Sequence, residues 1–182
     1  HSWDLHEIER NQALIAHLTD DTAVMPKIYP TEEDQKFIEK LYPQPYITIS
    51  PASVWATKEL PLSNWATMLD KLATQLPVYL LGGPSDAARC EELKSMTIHP
   101  SVMVLAGKHS FLQDAVLMQN ARMNYVLDSA PMHICSAMNA ATTVIFCSTA
   151  PNFGFGPLAD GAIVLEPKLD LDCRPCGKHG HR

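Results

Sequence analysis

The sequence predicts an α/β protein, a Rossmann-like three-layer α/β/α domain built on a six-stranded parallel sheet. Three observations predict it. Short apolar runs recur at residues 46–49, 78–81, 102–105, 123–127, 143–146 and 162–165. Segments with helical period separate most of them, and four or five helices between six such strands describe a parallel sheet covered on both faces. Small and polar residues (Ser50, Gly82-Gly83, Gly107, Asp128-Ser129) follow four of the runs, at the sheet edge where open α/β sheets bind ligands. A Rossmann-like strand order is expected, with a flavodoxin-like order as its rival.

Each element follows from local pattern. A first helix is expected over residues 3–18, capped by Ser2, with Leu5, Ile8, Ile15 and Leu18 on roughly one face. Residues 20–30 hold two prolines and no period, so they read as a connector. Thr31-Glu32-Glu33-Asp34 resembles a capping box and starts a surface helix to about Leu41. After the strand at 46–49, Pro61 and Ser63 lead a helix through Trp65, Met68, Leu69 and Leu72. The strand at 78–81 passes through Gly82-Gly83-Pro84 into a helix over 85–94. The strand at 102–105 passes through Gly107-Lys108-His109-Ser110, with Ser110 as cap, into a helix ending near Asn120. A short helix rich in small residues, from Pro131 to about Ala140, lies between the strands at 123–127 and 143–146. The chain thus divides into a helical lead-in over 1–43, the Rossmann-like domain over 44–167 and a cysteine- and histidine-containing tail over 168–182.

Composition bounds the function. With 182 residues, 46% of them apolar, the chain can bury one sizeable core but hardly two. A formal net charge of -6 argues against a nucleic-acid surface, which needs a concentrated basic face. A pocket for a small anion needs only a helix start and one lysine. No uncharged apolar run approaches the about 18–20 residues of a membrane span, and no signal peptide pattern opens the sequence. Cys90, Cys135 and Cys147 read as small buried hydrophobes, and the odd total of five cysteines fits poorly with a disulfide framework. A cytosolic compartment is expected.

Four constellations and the tail carry chemistry. Asp128-Ser129-Ala130-Pro131-Met132-His133 joins a buried strand to a helix, and a helix start offers unpaired N–H groups to phosphate oxygens. His133 reads either as a packing residue or as an imidazole within reach of a phosphate. Ser50 to Lys58 (SPASVWATK) places hydroxyls on the ligand edge, where Lys58 can neutralise a diphosphate and Ser53, or its N–H, can donate. The plain alternative is a loop with a solvated lysine. Asp86 suits ribose hydroxyls or, equally, the first turn of its helix. Gly107 permits a turn or a close ligand approach, and His109 contacts a base or stays solvated. Ser129 lacks a G-x-S-x-G elbow and an ordered base, so nucleophilic catalysis is not expected. In the tail, Cys173, Cys176, His179 and His181 suit tetrahedral zinc, a disulfide or redox pair, or an incomplete end.

Together these residues resemble the carboxyl-terminal, donor-binding half of the family 9 glycosyltransferases, best known as ADP-heptose:lipopolysaccharide heptosyltransferases. The resemblance rests on Ser50 to Lys58 with Leu60-Pro61, Leu81-Gly82, the run GKHSFL from Gly107 to Leu112, and Asp128 to His133 with Ala137. Gly156-Pro157, Cys173-Arg174-Pro175-Cys176 and the early His6-Glu7 and Arg10 extend it. It implies one half of a GT-B architecture, with the nucleotide sugar in the cleft. Ser53, Thr57 and Lys58 would then serve the diphosphate or sugar, Asp86 the ribose, and Gly107 and His109 the base. Asp128, the amides of Ser129 and Ala130, and His133 would border the sugar-diphosphate.

The resemblance further implies an ADP-sugar donor, no cofactor or metal, inversion at the anomeric carbon, and a lipopolysaccharide-core acceptor. The setting it implies is the cytoplasm, at the inner face of the bacterial inner membrane. An amino-terminal acceptor domain of the same protein, carrying the catalytic carboxylate, is expected outside these residues, so no catalytic residue is assigned here and this piece alone should be inactive. Three departures stand out: Ala130 at a glycine-like position, His109 where threonine is usual, and a tail that ends before further cysteines. An epimerase on a similar sheet would need a glycine-rich fingerprint or a Tyr-x-x-x-Lys pair, and neither is present. A non-catalytic nucleotide-binding or assembly domain is the other alternative.

Overall fold

The computed structural model describes residues 5–20, 22–43, 45–72, 74–168 and 171–177. Six strands form one sheet: β1 (Ile47–Ile49), β2 (Val78–Leu80), β3 (Val102–Val104), β4 (Met123–Leu127), β5 (Thr142–Ile145) and β6 (Ile163–Leu165). Their order is β3-β2-β1-β4-β5-β6 and every pairing is parallel, so the Rossmann-like order holds over the flavodoxin-like one. The order reverses between β1 and β4, which creates the switch point where such sheets hold ligands.

Strand periodicity sends alternate residues to opposite faces. Ile47 and Ile49 meet α3 (Leu62–Lys71) and α4 (Ala87–Met96) through Trp65, Leu69, Cys90 and Leu93, all fully buried. Tyr46, Tyr79 and Val126 meet α5 (Phe111–Asn120) and α6 (Ala130–Met138) on the other face, through Val116, Leu117, Met132 and Cys135. These two apolar layers give the three-layer architecture. Asn124 looks misplaced in a strand interior, but it is satisfied. Its carbonyl accepts from the Thr48 hydroxyl across the β1–β4 register, and its amide donates to Met118 O and Ala141 O at 2.9 Å each.

The caps explain most helix starts. Thr31 caps α2 (Glu32–Leu41) in a capping box with Asp34 and Ser110 caps α5, both as the sequence predicts, and Ser110 forms a box with Gln113 as well. α2 packs on α5 through Ile38, which is fully buried, so it is more than a surface element. α3 begins at Leu62, after Pro61 and before the expected Ser63, and α4 begins at Ala87 because Pro84–Asp86 forms a separate 3-10 turn.

The first helix departs from expectation. α1 runs over Glu7–Ile15, capped by His6, with no buried residue, rather than over 3–18. The expected cap Ser2 and start at Trp3 lie outside the described residues. The helix is anchored from a distance instead: Glu7 N–H donates to Gly154 O at 2.8 Å, and Arg10 donates to Phe153 O at 3.2 Å. His6 Nε2 also meets Gly156 O at 3.0 Å, which fixes the capping ring. Within the described part of the tail, Arg174 donates to Cys147 O at 2.9 Å and to Thr149 O at 2.8 Å. No helix among the described residues is long and apolar enough to cross a membrane.

Candidate functional site

Four loops converge beyond the carboxyl ends of β1 to β4 and enclose two adjoining cavities. The larger, of about 550 Å³, is walled by Ser50 to Val54 without Pro51, Leu81 to Asp86, Gly107, His109 and the start of α6. The smaller, of about 320 Å³, takes Lys58, Asp128, His133 and Phe155. Ser53, Val54, Ser129 and Ala130 line both, so an elongated ligand can pass from one to the other.

The smaller cavity is the charged one. A 3-10 turn over Ala56–Lys58 bends the β1–α3 loop back toward β4. Lys58 Nζ then lies 2.6 Å from Asp128 Oδ2, with the two side chains only 11% and 7% exposed. The plain reading of Lys58 as a solvated side chain is therefore overturned. The same carboxylate oxygen accepts the hydroxyl of Thr149 at 2.7 Å. His133 stands one turn into α6. Solvent reaches its imidazole through the cavity mouth, yet partial burial pushes its pKa below the ordinary 6.5, opposed by Asp128 and assisted by His6 and Lys58. A neutral imidazole beside an ammonium and a helix start suits a phosphate oxygen.

Some donors expected at the site are already engaged. Ser53 N–H donates to Glu59 Oε1 at 2.9 Å, and its hydroxyl oxygen accepts from Trp55 N–H at 3.3 Å. Ser129 N–H donates to Leu127 O at 2.8 Å. The first N–H groups of a helix have no intrahelical acceptor and Pro131 carries none, so Ala130 supplies the N–H at the start of α6. Thr57 sits half-buried in the 3-10 turn and lines neither cavity.

The larger cavity is walled by tight turns. Asp86 Oδ2 accepts Gly83 N–H at 2.8 Å, so one carboxylate oxygen is spent on its own turn while the residue still lines the cavity. Gly107, at φ 72°, donates its N–H to Gly82 O at 2.9 Å, and a Cβ there would lie 2.7 Å from Pro84 Cα. Only glycine brings the β2 and β3 loops this close. His109 is not solvated: its side chain is 3% exposed, with Nε2 3.2 Å from the Tyr42 hydroxyl and Nδ1 3.2 Å from Asp114. It contributes a fixed ring wall.

Three contributors escaped the sequence reading. Glu59 pairs with Arg89 at 3.0 Å while accepting Ser53 N–H, so it ties the β1–α3 loop to α4. Thr149 holds Asp128, and Arg174 holds Thr149. The capping-free loop from Glu59 onward carried no signal for the first, and the other two are separated from their partners by more than twenty residues. For the tail, Cys173 is exposed and Cys176 half-buried, and His179 and His181 lie outside the described residues. Among the described residues no cluster of three or more His, Cys, Asp or Glu side chains is placed to hold a metal ion.

Comparison with known proteins agrees with this fold. The family described as Glycosyltransferase family 9 (heptosyltransferase) matches residues 1–182. Lipopolysaccharide heptosyltransferase 3 of Escherichia coli is 31% identical over 109 residues, covering 58% of this chain and 32% of that protein. Lipopolysaccharide heptosyltransferase 1 of Pseudomonas aeruginosa is 23% identical over 190 residues, covering 97% of this chain and 49% of that protein. Among solved structures, E. coli ADP-heptose lipopolysaccharide heptosyltransferase II superposes with a TM-score of 0.71 at 19% identity, over 88% of this chain and 53% of that one. The chain therefore spans about half the length of these relatives, or less.

Proposed function

This chain belongs to glycosyltransferase family 9, and we propose that it forms the carboxyl-terminal, donor-binding domain of an inverting transferase. The donor is an ADP-sugar, a heptose by the relatives' names, and the acceptor a lipopolysaccharide-core sugar reached at the inner face of the bacterial inner membrane. The observation that carries this reading is the Lys58–Asp128 pair beside the start of α6, opening onto a cavity large enough for a nucleoside. The nucleoside occupies the larger cavity, between the Gly82–Asp86 and Gly107–His109 turns. The diphosphate crosses Ala130 into the smaller one.

The chemistry follows from that placement. An acceptor hydroxyl oxygen attacks the anomeric carbon from the opposite side, the bond from that carbon to the diphosphate oxygen breaks, and the configuration inverts. Negative charge grows on the departing diphosphate. Lys58, the Ala130 N–H and a neutral His133 are donors fixed before the reaction, so little reorganisation is needed as that charge develops. The acceptor's proton goes to a carboxylate supplied by an acceptor domain. No metal is assigned to the reaction.

Calorimetric titration with ADP, UDP and GDP, repeated with ADP-heptose, tests the reading. Saturable binding that prefers ADP is expected. A folded sample that binds none of the four would overturn the donor-domain assignment.

A further inference from the structure

Thr149 lies in the turn after β5 and is 1% exposed. Its hydroxyl donates to Asp128 Oδ2 at 2.7 Å, and the Lys58 ammonium reaches the same oxygen at 2.6 Å. The two donors come from different elements, the β5 turn and the β1–α3 loop, and converge on one oxygen, so the Thr149 hydroxyl holds Oδ2 where the ammonium meets it. Thr149 itself lines neither cavity.

The backbone that presents Thr149 is held in turn. Arg174 Nη2 donates to Thr149 O at 2.8 Å and its Nε to Cys147 O at 2.9 Å, while Cys176 N–H donates to Ser148 O at 2.9 Å. Glu166 fixes the guanidinium at 2.7 Å. Every residue from 147 to 149 therefore gives its carbonyl to the segment that carries Cys173 and Cys176. That segment acts as a splint on the turn.

We propose that Thr149 is a positioning residue for the Lys58–Asp128 pair, with Arg174 holding its backbone from the cysteine-containing segment. The inference deepens the donor-site reading and rests on it. It assigns Thr149 an effect on the diphosphate end of the ligand only, because its hydroxyl touches the charged cavity's carboxylate and nothing in the nucleoside cavity.

The test compares ADP with adenosine on wild-type protein, Thr149→Val and Thr149→Ser. Valine keeps the shape and removes the donor, and a hydrogen bond to a charged group is strong enough that its loss should weaken ADP binding about tenfold. Adenosine affinity should stay near wild type, the melting temperature should fall by a few degrees because a buried charged acceptor loses a donor, and Thr149→Ser should restore ADP binding. Equal weakening of both ligands means a general structural role and overturns the inference, as does unchanged ADP binding or failure of serine to rescue. Wild-type protein that binds neither ligand overturns the donor-site reading, and this inference with it.

Discussion

Lys58 and Asp128 form a buried ion pair that also faces a cavity, and the two partners differ in what happens when one is lost. Lysine has a long stem and can swing its ammonium to water. The short Asp128 side chain, 7% exposed, cannot. Lys58→Ala should therefore destabilise the protein more than Asp128→Ala, by about 3 kcal/mol, because it leaves a buried carboxylate with the Thr149 hydroxyl alone. Both should abolish measurable ADP binding. Urea denaturation and calorimetry on the two variants check this, and nucleotide titrations unchanged in both would sink the site assignment. His133 gives a second handle, with opposite signs in the two states of the protein. Burial holds its pKa below 6.5 in the free fold, so the unfolded chain takes the proton first. Stability is then full above about pH 6.5 and is lost as pH falls through the lower folded value. Bound diphosphate reverses the preference, because an imidazolium beside Lys58 adds a second cation to the anion. ADP affinity should rise from pH 7 to pH 5 relative to His133→Asn. The difference between the two proteins is the readout, since the ligand's terminal phosphate also titrates at about pH 6.

At the scale of elements, what the sequence revealed was local and what it hid was long-range. The Thr31 and Ser110 caps were legible because each cap and its first-turn partner lie three residues apart. The central strands were legible because both their faces are buried and their runs are mostly apolar, and β6 because its run is apolar although it lies exposed at the edge. The start of α1 was not, since His6 becomes a cap only when Gly156, 150 residues away, fixes its ring. Thr149 read as an ordinary loop residue because Asp128 is 21 positions distant. Gly107 stands between these cases: its glycine was noticed, but its neighbour, Pro84 of another loop, was not. Gly107→Ala forces a left-handed backbone on a residue that resists it and drives a methyl toward backbone 2.7 Å away. It should cost about 1–3 kcal/mol and splay the β2 and β3 turns that wall the larger cavity. The expected signature is a lowered midpoint in denaturant together with weakened adenosine binding. Wild-type values for both would show that the two turns can part at no cost.

For the whole molecule, the order β3-β2-β1-β4-β5-β6 puts the reversal at the centre of the sheet, and the two cavities draw on the ends of β1, β2, β3 and β4. A ligand filling both would join the two halves of the fold. Residues of β6, in contrast, form an exposed edge, with Ile163, Val164 and Leu165 all reaching solvent. Hydrogen exchange separates these regions by mechanism. Amides of the buried β1 open only when the whole domain unfolds, so ADP at 100 times its dissociation constant should slow them by the full linkage free energy, about 2.7 kcal/mol. Amides of β6 open by local fraying, which the ligand does not touch, and should exchange at unchanged rates. The loops at 50–58, 82–86, 107–110 and 128–133 should gain protection together, since one molecule spans them. Gains confined to 128–133 would place the phosphates correctly but leave the larger cavity outside the ligand's footprint, and the nucleoside would then have to lie against another surface.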